Sequence, residues 1–151
     1  LTSWLSLPSM VSLQGICIDR EEQALFVADY REGILKIAIG SQKVTLLENQ
    51  TPHPLKGIDG LYYSDGALIA IHNGLRPFRV VRYELNPGEN KVEQFEFLDK
   101  TLHTKGEPTL GTLYDNTLIY VSNSPWGAYD KDKNLLTEEV SPPVIVQTPI
   151  K

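Results

Sequence analysis

The stretch Asp59-Gly60-Leu61-Tyr62-Tyr63, a turn at Asp65-Gly66, and then Leu68-Ile69-Ala70-Ile71-His72-Asn73 reads as strand, tight turn, strand and polar tip. Asp-Gly between two apolar runs is a hairpin signal, because glycine tolerates the positive φ that a two-residue turn demands. The same phrase occurs upstream as Gln14-Gly15-Ile16-Cys17-Ile18-Asp19 followed by Leu25-Phe26-Val27-Ala28-Asp29-Tyr30. It occurs downstream as Thr109-Leu110-Gly111-Thr112-Leu113 followed by Leu118-Ile119-Tyr120-Val121-Ser122-Asn123. In the first two units a third and a fourth apolar run follow, Ile34 to Ile39 with Val44 to Leu47, and Arg79 to Leu85 with Val92 to Leu98.

Helical periodicity is weak, and turn residues punctuate the chain every 8 to 12 residues or so, the pattern of an all-β chain of short strands. The polar tips at Asp29, His72 and Ser122 repeat at a spacing of about 40 to 50 residues, the length of a four-stranded propeller blade. A β-sandwich also uses short strands and turns, but nothing in a sandwich requires strand, turn, strand and polar tip to recur in phase. The reading is therefore an all-β chain of about three four-stranded blades of a β-propeller, spanning approximately 11–50, 55–100 and 105–151. Propellers close with roughly four to eight blades. The expectation is one partial domain over 1–151 of a six-bladed ring. An upstream half of the same propeller, or a second copy, would close it. Pro142-Pro143 ahead of Val144-Ile145-Val146-Gln147 suits entry into an edge strand, because proline donates no ladder hydrogen bond.

Composition excludes several function classes. The 151 residues carry a net charge of −5 with both signs mixed along the chain. No basic stripe appears, which argues against nucleic acid as a partner. No apolar run approaches the roughly 20 residues of a membrane span. The single cysteine, Cys17, lies in an apolar run and reads as a buried structural thiol. Residue 1 is Leu and no signal-peptide pattern precedes the first repeat, so the sequence assigns no compartment. A signal peptide upstream would make the protein secreted or periplasmic. No Gly-x-Ser-x-Gly elbow, His-Glu-x-x-His motif, P-loop or dinucleotide fingerprint is present.

A blade's first strand runs along the central channel and its second returns beside it, so the start of one and the end of the other share a rim. This puts Gln14, Asp59 and Thr109 near the axis at one mouth, with Asp29, His72, Asn73, Ser122 and Asn123 on the same side. Convergent carboxylates and amides suit a hard cation with oxygen ligands, and Asp59 is the foremost candidate as ligand or general base. His72, Asn73, Asn123 and Glu107 are candidate substrate contacts. Each also has a bland reading: Asp59 as a turn residue before glycine, His72 as a structural hydrogen-bonder, Asn73 and Asn123 as turn formers, and Glu107 as a solvated carboxylate. Trp126 and Tyr129 fit either a stacking platform or packing between blades.

Gln14-Gly15-Ile16, Phe26-Val27-Ala28-Asp29, Gly57-Ile58-Asp59-Gly60-Leu61, Ile71-His72-Asn73-Gly74 and Val121-Ser122-Asn123 resemble the senescence-marker-protein/gluconolactonase (regucalcin-like) family of six-bladed propellers, related in fold to paraoxonases and strictosidine synthase. The resemblance spans about Leu13 to Asn123, three of six blades. NHL-type propellers, often non-enzymatic, share the Val-Ala-Asp ending. The resemblance implies a divalent metal, calcium or zinc, at the top of the channel, and hydrolysis of a small lactone or ester. It implies Asp59 as metal ligand and catalytic carboxylate. It puts Gln14 where the family has a metal-binding Asn, a departure that adds one methylene. The family's remaining ligand, a Glu of the first blade, would lie upstream. The alternative is a non-catalytic propeller that binds a protein, peptide or glycan across its mouth, with Asp29, His72 and Trp126 as recognition residues.

Overall fold

The computed structural model describes residues 1–100 and 106–151. It is all-β apart from two 3₁₀ turns, Pro125–Ala128 and Thr137–Glu139. Twelve strands form three sheets among the described residues. The first sheet is an antiparallel meander of β1 (Leu13–Ile18), β2 (Ala24–Asp29), β3 (Gly33–Ala38) and β4 (Val44–Leu46). The second repeats that meander with β6 (Ile58–Ser64), β7 (Ala67–His72), β8 (Arg79–Leu85) and β9 (Lys91–Asp99), and gains a fifth strand. That strand is β5 (Glu48–Asn49), which pairs parallel with β9. As the chain leaves the first sheet, it therefore hydrogen-bonds to the outer edge of the second. The third sheet contains β10 (Gly111–Tyr114), β11 (Thr117–Val121) and β12 (Ile145–Pro149).

These are blade-like sheets in the order the repeat predicts. The third differs in having three strands. After β11 the chain enters the 3₁₀ turns instead of turning straight back, and the strand after Pro142-Pro143 takes the place beside β11. The expected boundary of this unit at 105 lies outside the described residues. No helix among the described residues is long and apolar enough to cross a membrane.

Local chemistry explains the hairpins. Asp65 and Gly66 have φ of 46° and 77°, the left-handed pair that turns β6 into β7. Strand alternation then sorts side chains between the two faces of the second sheet. Leu68 and Ala70 of β7 face the first sheet, in a core with Phe26, Ala28, Ile34, Ile58 and Leu61. Ile69 and Ile71, one residue out of phase, face the third sheet in a core with Val80, Leu118, Tyr120 and Ile150. The middle sheet is thus covered on both faces. At about 1.5–3 kcal/mol for each fully buried aliphatic side chain, these two interfaces hold the three sheets together. The outer face of the first sheet is covered by Leu5, Leu7 and Met10, which pack on Val27, Leu35 and Ile37.

Candidate functional site

Glycines where the inner strands meet let neighbouring sheets approach closely. A Cβ at Gly15 would stand 2.4 Å from the Leu61 backbone nitrogen and 2.8 Å from the Asp59 carbonyl oxygen. A Cβ at Gly60 would stand 2.9 Å from the Thr109 carbonyl oxygen. No side chain fits at either position without a backbone shift. The residues at 14, 59 and 109 therefore follow one another across adjacent sheets. The register of β1 slips between Leu13 and Ile16, and that of β6 between Ile58 and Gly60. Both slips fall at the start of the inner strand, at the same point of the repeat. Bulges of this kind re-aim a side chain and recur beside functional sites.

Asp59 occupies the second bulge and is partly buried. Its Oδ2 accepts a hydrogen bond of 3.0 Å from Asn73 Nδ2. The carbonyl oxygen of that amide accepts one of 3.0 Å from the Tyr30 hydroxyl. Tyr30 is held by backbone around it. Gly57 donates to the Tyr30 carbonyl (2.9 Å), Gly74 donates to the Gly57 carbonyl (3.1 Å), and a Cβ at Gly74 would lie 2.8 Å from the Tyr30 hydroxyl oxygen. Gly57 has φ of 70°, which favours glycine there. Burial raises the Asp59 pKa above the usual carboxylate range, and the Asn73 bond offsets part of that rise. Burial raises Tyr30 as well, followed by the negative charges of Glu107 and Asp59. On Tyr62 burial leads again, the Gly111 N–H lowers the pKa against it, and Asp59 adds to the rise.

Not all of the expected rim residues reach this opening. His72 is fully buried, with no surface open to the rim. Its Nε2 lies 2.8 Å from the Tyr83 hydroxyl, which also lies 2.6 Å from His53 Nδ1 and donates to the Pro54 carbonyl at 3.0 Å. Tyr83 has one proton and the carbonyl can only accept. Both imidazoles therefore donate to the phenol oxygen. His53 Nε2 is then free to accept from Arg79 Nη1 at 3.3 Å. Burial, then His53 and Arg79, push His72 down to about 3, against the Lys56 backbone.

Asn123 is buried too, and both ends of its amide are engaged. It donates to the Pro142 carbonyl (2.8 Å) and accepts from the Val144 N–H (2.6 Å), pinning the return into β12. Gln14 is exposed and donates to Ser12 Oγ at 3.2 Å. Glu107 is half-buried, its backbone bridged to Ser124, and its charge reaches Tyr30. Asp29 has no exposed surface. Burial alone would raise its pKa, but the N–H groups of Arg31, Glu32, Ser12 and Val11 hold it below the usual range. Trp126 and Tyr129 do not pack between sheets: they are 63% and 44% exposed, with ring centroids 6.2 Å apart. Cys17 is half-buried, and burial pushes its thiol up to about 12.

Hydrogen bonds thus join Asp59, Asn73 and Tyr30, with the Glu107 charge acting on Tyr30, whereas His72 and Asn123 are buried and bonded elsewhere. Tyr30 is the residue that sequence reasoning missed. Its signal was its place directly after the polar tip Asp29, equivalent to Asn73 after His72. Among the described residues no three or more His, Cys, Asp and Glu side chains converge as a metal-binding group. No protein-family model matches the chain, and no curated protein is significantly similar to it.

Proposed function

We propose that the opening around Asp59 is the reaction centre of a lactonase-type hydrolase built on a six-bladed propeller, of which this chain forms about three blades. The observation that carries this reading is the Asp59 carboxylate itself. It sits in a bulge where two sheets meet, desolvated enough to raise its pKa, with one oxygen held by Asn73. A carboxylate with a raised pKa is suited to take a proton from water attacking a lactone or ester carbonyl. Asn73 holds the carboxylate in place during that transfer, and Glu107 adds negative potential on the Tyr30 side. If a calcium or zinc ion completes the site, Asp59 and Gln14 are the residues of this chain that would hold it. Such an ion would polarise the substrate carbonyl and lower the pKa of bound water. The other donors would come from the upstream half or a second copy.

The test is hydrolysis of simple lactones and aryl esters by the protein and by Asp59→Asn, with calcium and zinc titrated in parallel. Loss of activity by about 10²- to 10⁴-fold is expected for removal of a general base. Unchanged hydrolysis and unchanged ion binding in Asp59→Asn would remove Asp59 from the site. A non-catalytic propeller binding a glycan, peptide or protein is the second reading, and the exposed Trp126–Tyr129 pair favours it. Their loop begins at Ser124, which is bridged to Glu107 beside the opening. Absence of hydrolysis with every divalent ion, together with glycan binding lost in Trp126→Ala, would establish that reading instead.

A further inference from the structure

We infer that Tyr30 is a positioning residue for Asp59, acting through the Asn73 amide across the junction of the first and second sheets. The inference adds a role to the site proposed above and rests on that reading only for its use in catalysis. Its geometry stands alone. A carboxylate only accepts hydrogen bonds, so the Asn73 amide must turn its NH₂ toward Asp59 Oδ2. Its carbonyl oxygen then faces Tyr30, whose hydroxyl can only be the donor in that contact. The phenol proton therefore runs toward Asn73, and the amide passes the polarisation on to Asp59. Hydrogen bonds in such a chain strengthen one another.

The relay is built into the backbone. Tyr30 follows β2 in the first sheet, whereas Asn73 follows β7 and Asp59 opens β6 in the second. The ring lies against Gly74, where any Cβ would overlap it, and Gly74 is hydrogen-bonded to Gly57. Gly74 thus makes room for the phenol, and Gly57 makes room for Gly74. The groups that bear on Asp59 and its relay are Tyr30 from the turn after β2, Tyr62 from its own strand, and Glu107 ahead of β10 through Tyr30. None of them is a cation, so the Asn73 amide is the group that favours the charged form of Asp59.

The experiment compares, at fixed pH, the Asn73 side-chain NH₂ proton resonances of the unaltered chain, Tyr30→Phe and Asp59→Asn. Tyr30→Phe keeps the ring against Gly74 and removes only the hydroxyl. The amide proton that donates to Asp59 should move upfield in Tyr30→Phe, and further upfield in Asp59→Asn. An unmoved resonance in Tyr30→Phe would overturn a role exerted through Asn73. If Tyr30→Phe fails to fold, nuclear Overhauser contacts between the Tyr30 ring and the Asn73 side-chain amide in the unaltered chain decide, and their absence overturns the relay. Failure of the hydrolase reading shows separately, as unchanged hydrolysis in Asp59→Asn.

Discussion

The second and third sheets use the same strand pattern in opposite circumstances. In β7 every residue from Ala67 to His72 is buried, because the second sheet is covered by the first on one face and by the third on the other. In β11 burial alternates, with Leu118 and Tyr120 facing the second sheet and Thr117, Ile119 and Val121 facing away. The cross-strand partner Ile145 is 70% exposed. The same hydrophobic residue type is therefore core in one sheet and surface in the other. Position in the stack of sheets decides which, because both of a strand's faces are buried only when its sheet has neighbours on both sides.

The largest expected effect sharpens this contrast. Ile69→Ala should destabilise the 151-residue chain by about 2–5 kcal/mol, the range for truncating a well-packed aliphatic side chain. Ile145→Ala should change stability by less than about 1 kcal/mol, as surface substitutions do. Chemical denaturation of both variants measures the difference. Equal losses would break the distinction between a sandwiched and an open sheet.

A smaller effect concerns the buried histidine pair of the second sheet. His72 is neutral when folded, with a pKa near 3 against 6.5 for a free imidazole, and His53 is lowered in the same direction by burial and Arg79. The unfolded chain then binds more protons than the folded one between those values, so stability rises with pH in that window. The stabilisation is complete above about pH 6.5 and is lost as pH falls toward 3, at no more than about 1.4 kcal/mol per pH unit for one histidine. Thermal or urea unfolding between pH 7 and 4 measures the slope. In His72→Phe that slope should fall, whatever the variant's stability at pH 7. Asp29 is lowered too, so its contribution is present above the usual carboxylate range and is lost as pH falls below it, at the acid end of the histidine window.

Much of the fold was legible because its information is periodic. The apolar run of β7, the Asp65-Gly66 turn and the recurring polar tips each depend on residues close together in sequence. The parallel pairing of Glu48–Asn49 with β9 was not legible, since two exposed residues carry no hydrophobic pattern to announce it. The site was read less well for the same reason. Asp59 and Asn73 stand where the repeat puts them, but a polar tip has two outlets, toward the opening or back into the protein. His72 turned inward because Tyr83, eleven residues on, offers it a partner. Asn123 was taken up by the return of Pro142 and Val144, a contact that local sequence does not encode. Tyr30 escaped notice because its partner lies in the next sheet.

Everything assigned to the opening requires the inner strands to abut through Gly15 and Gly60. Nuclear Overhauser contacts in the folded chain test this most directly. The account predicts strong contacts from Gly15 to Leu61 and from Gly60 to Thr109 in the same molecule. A folded protein in which Gly15 and Gly60 show contacts only to their own hairpin partners would contradict it.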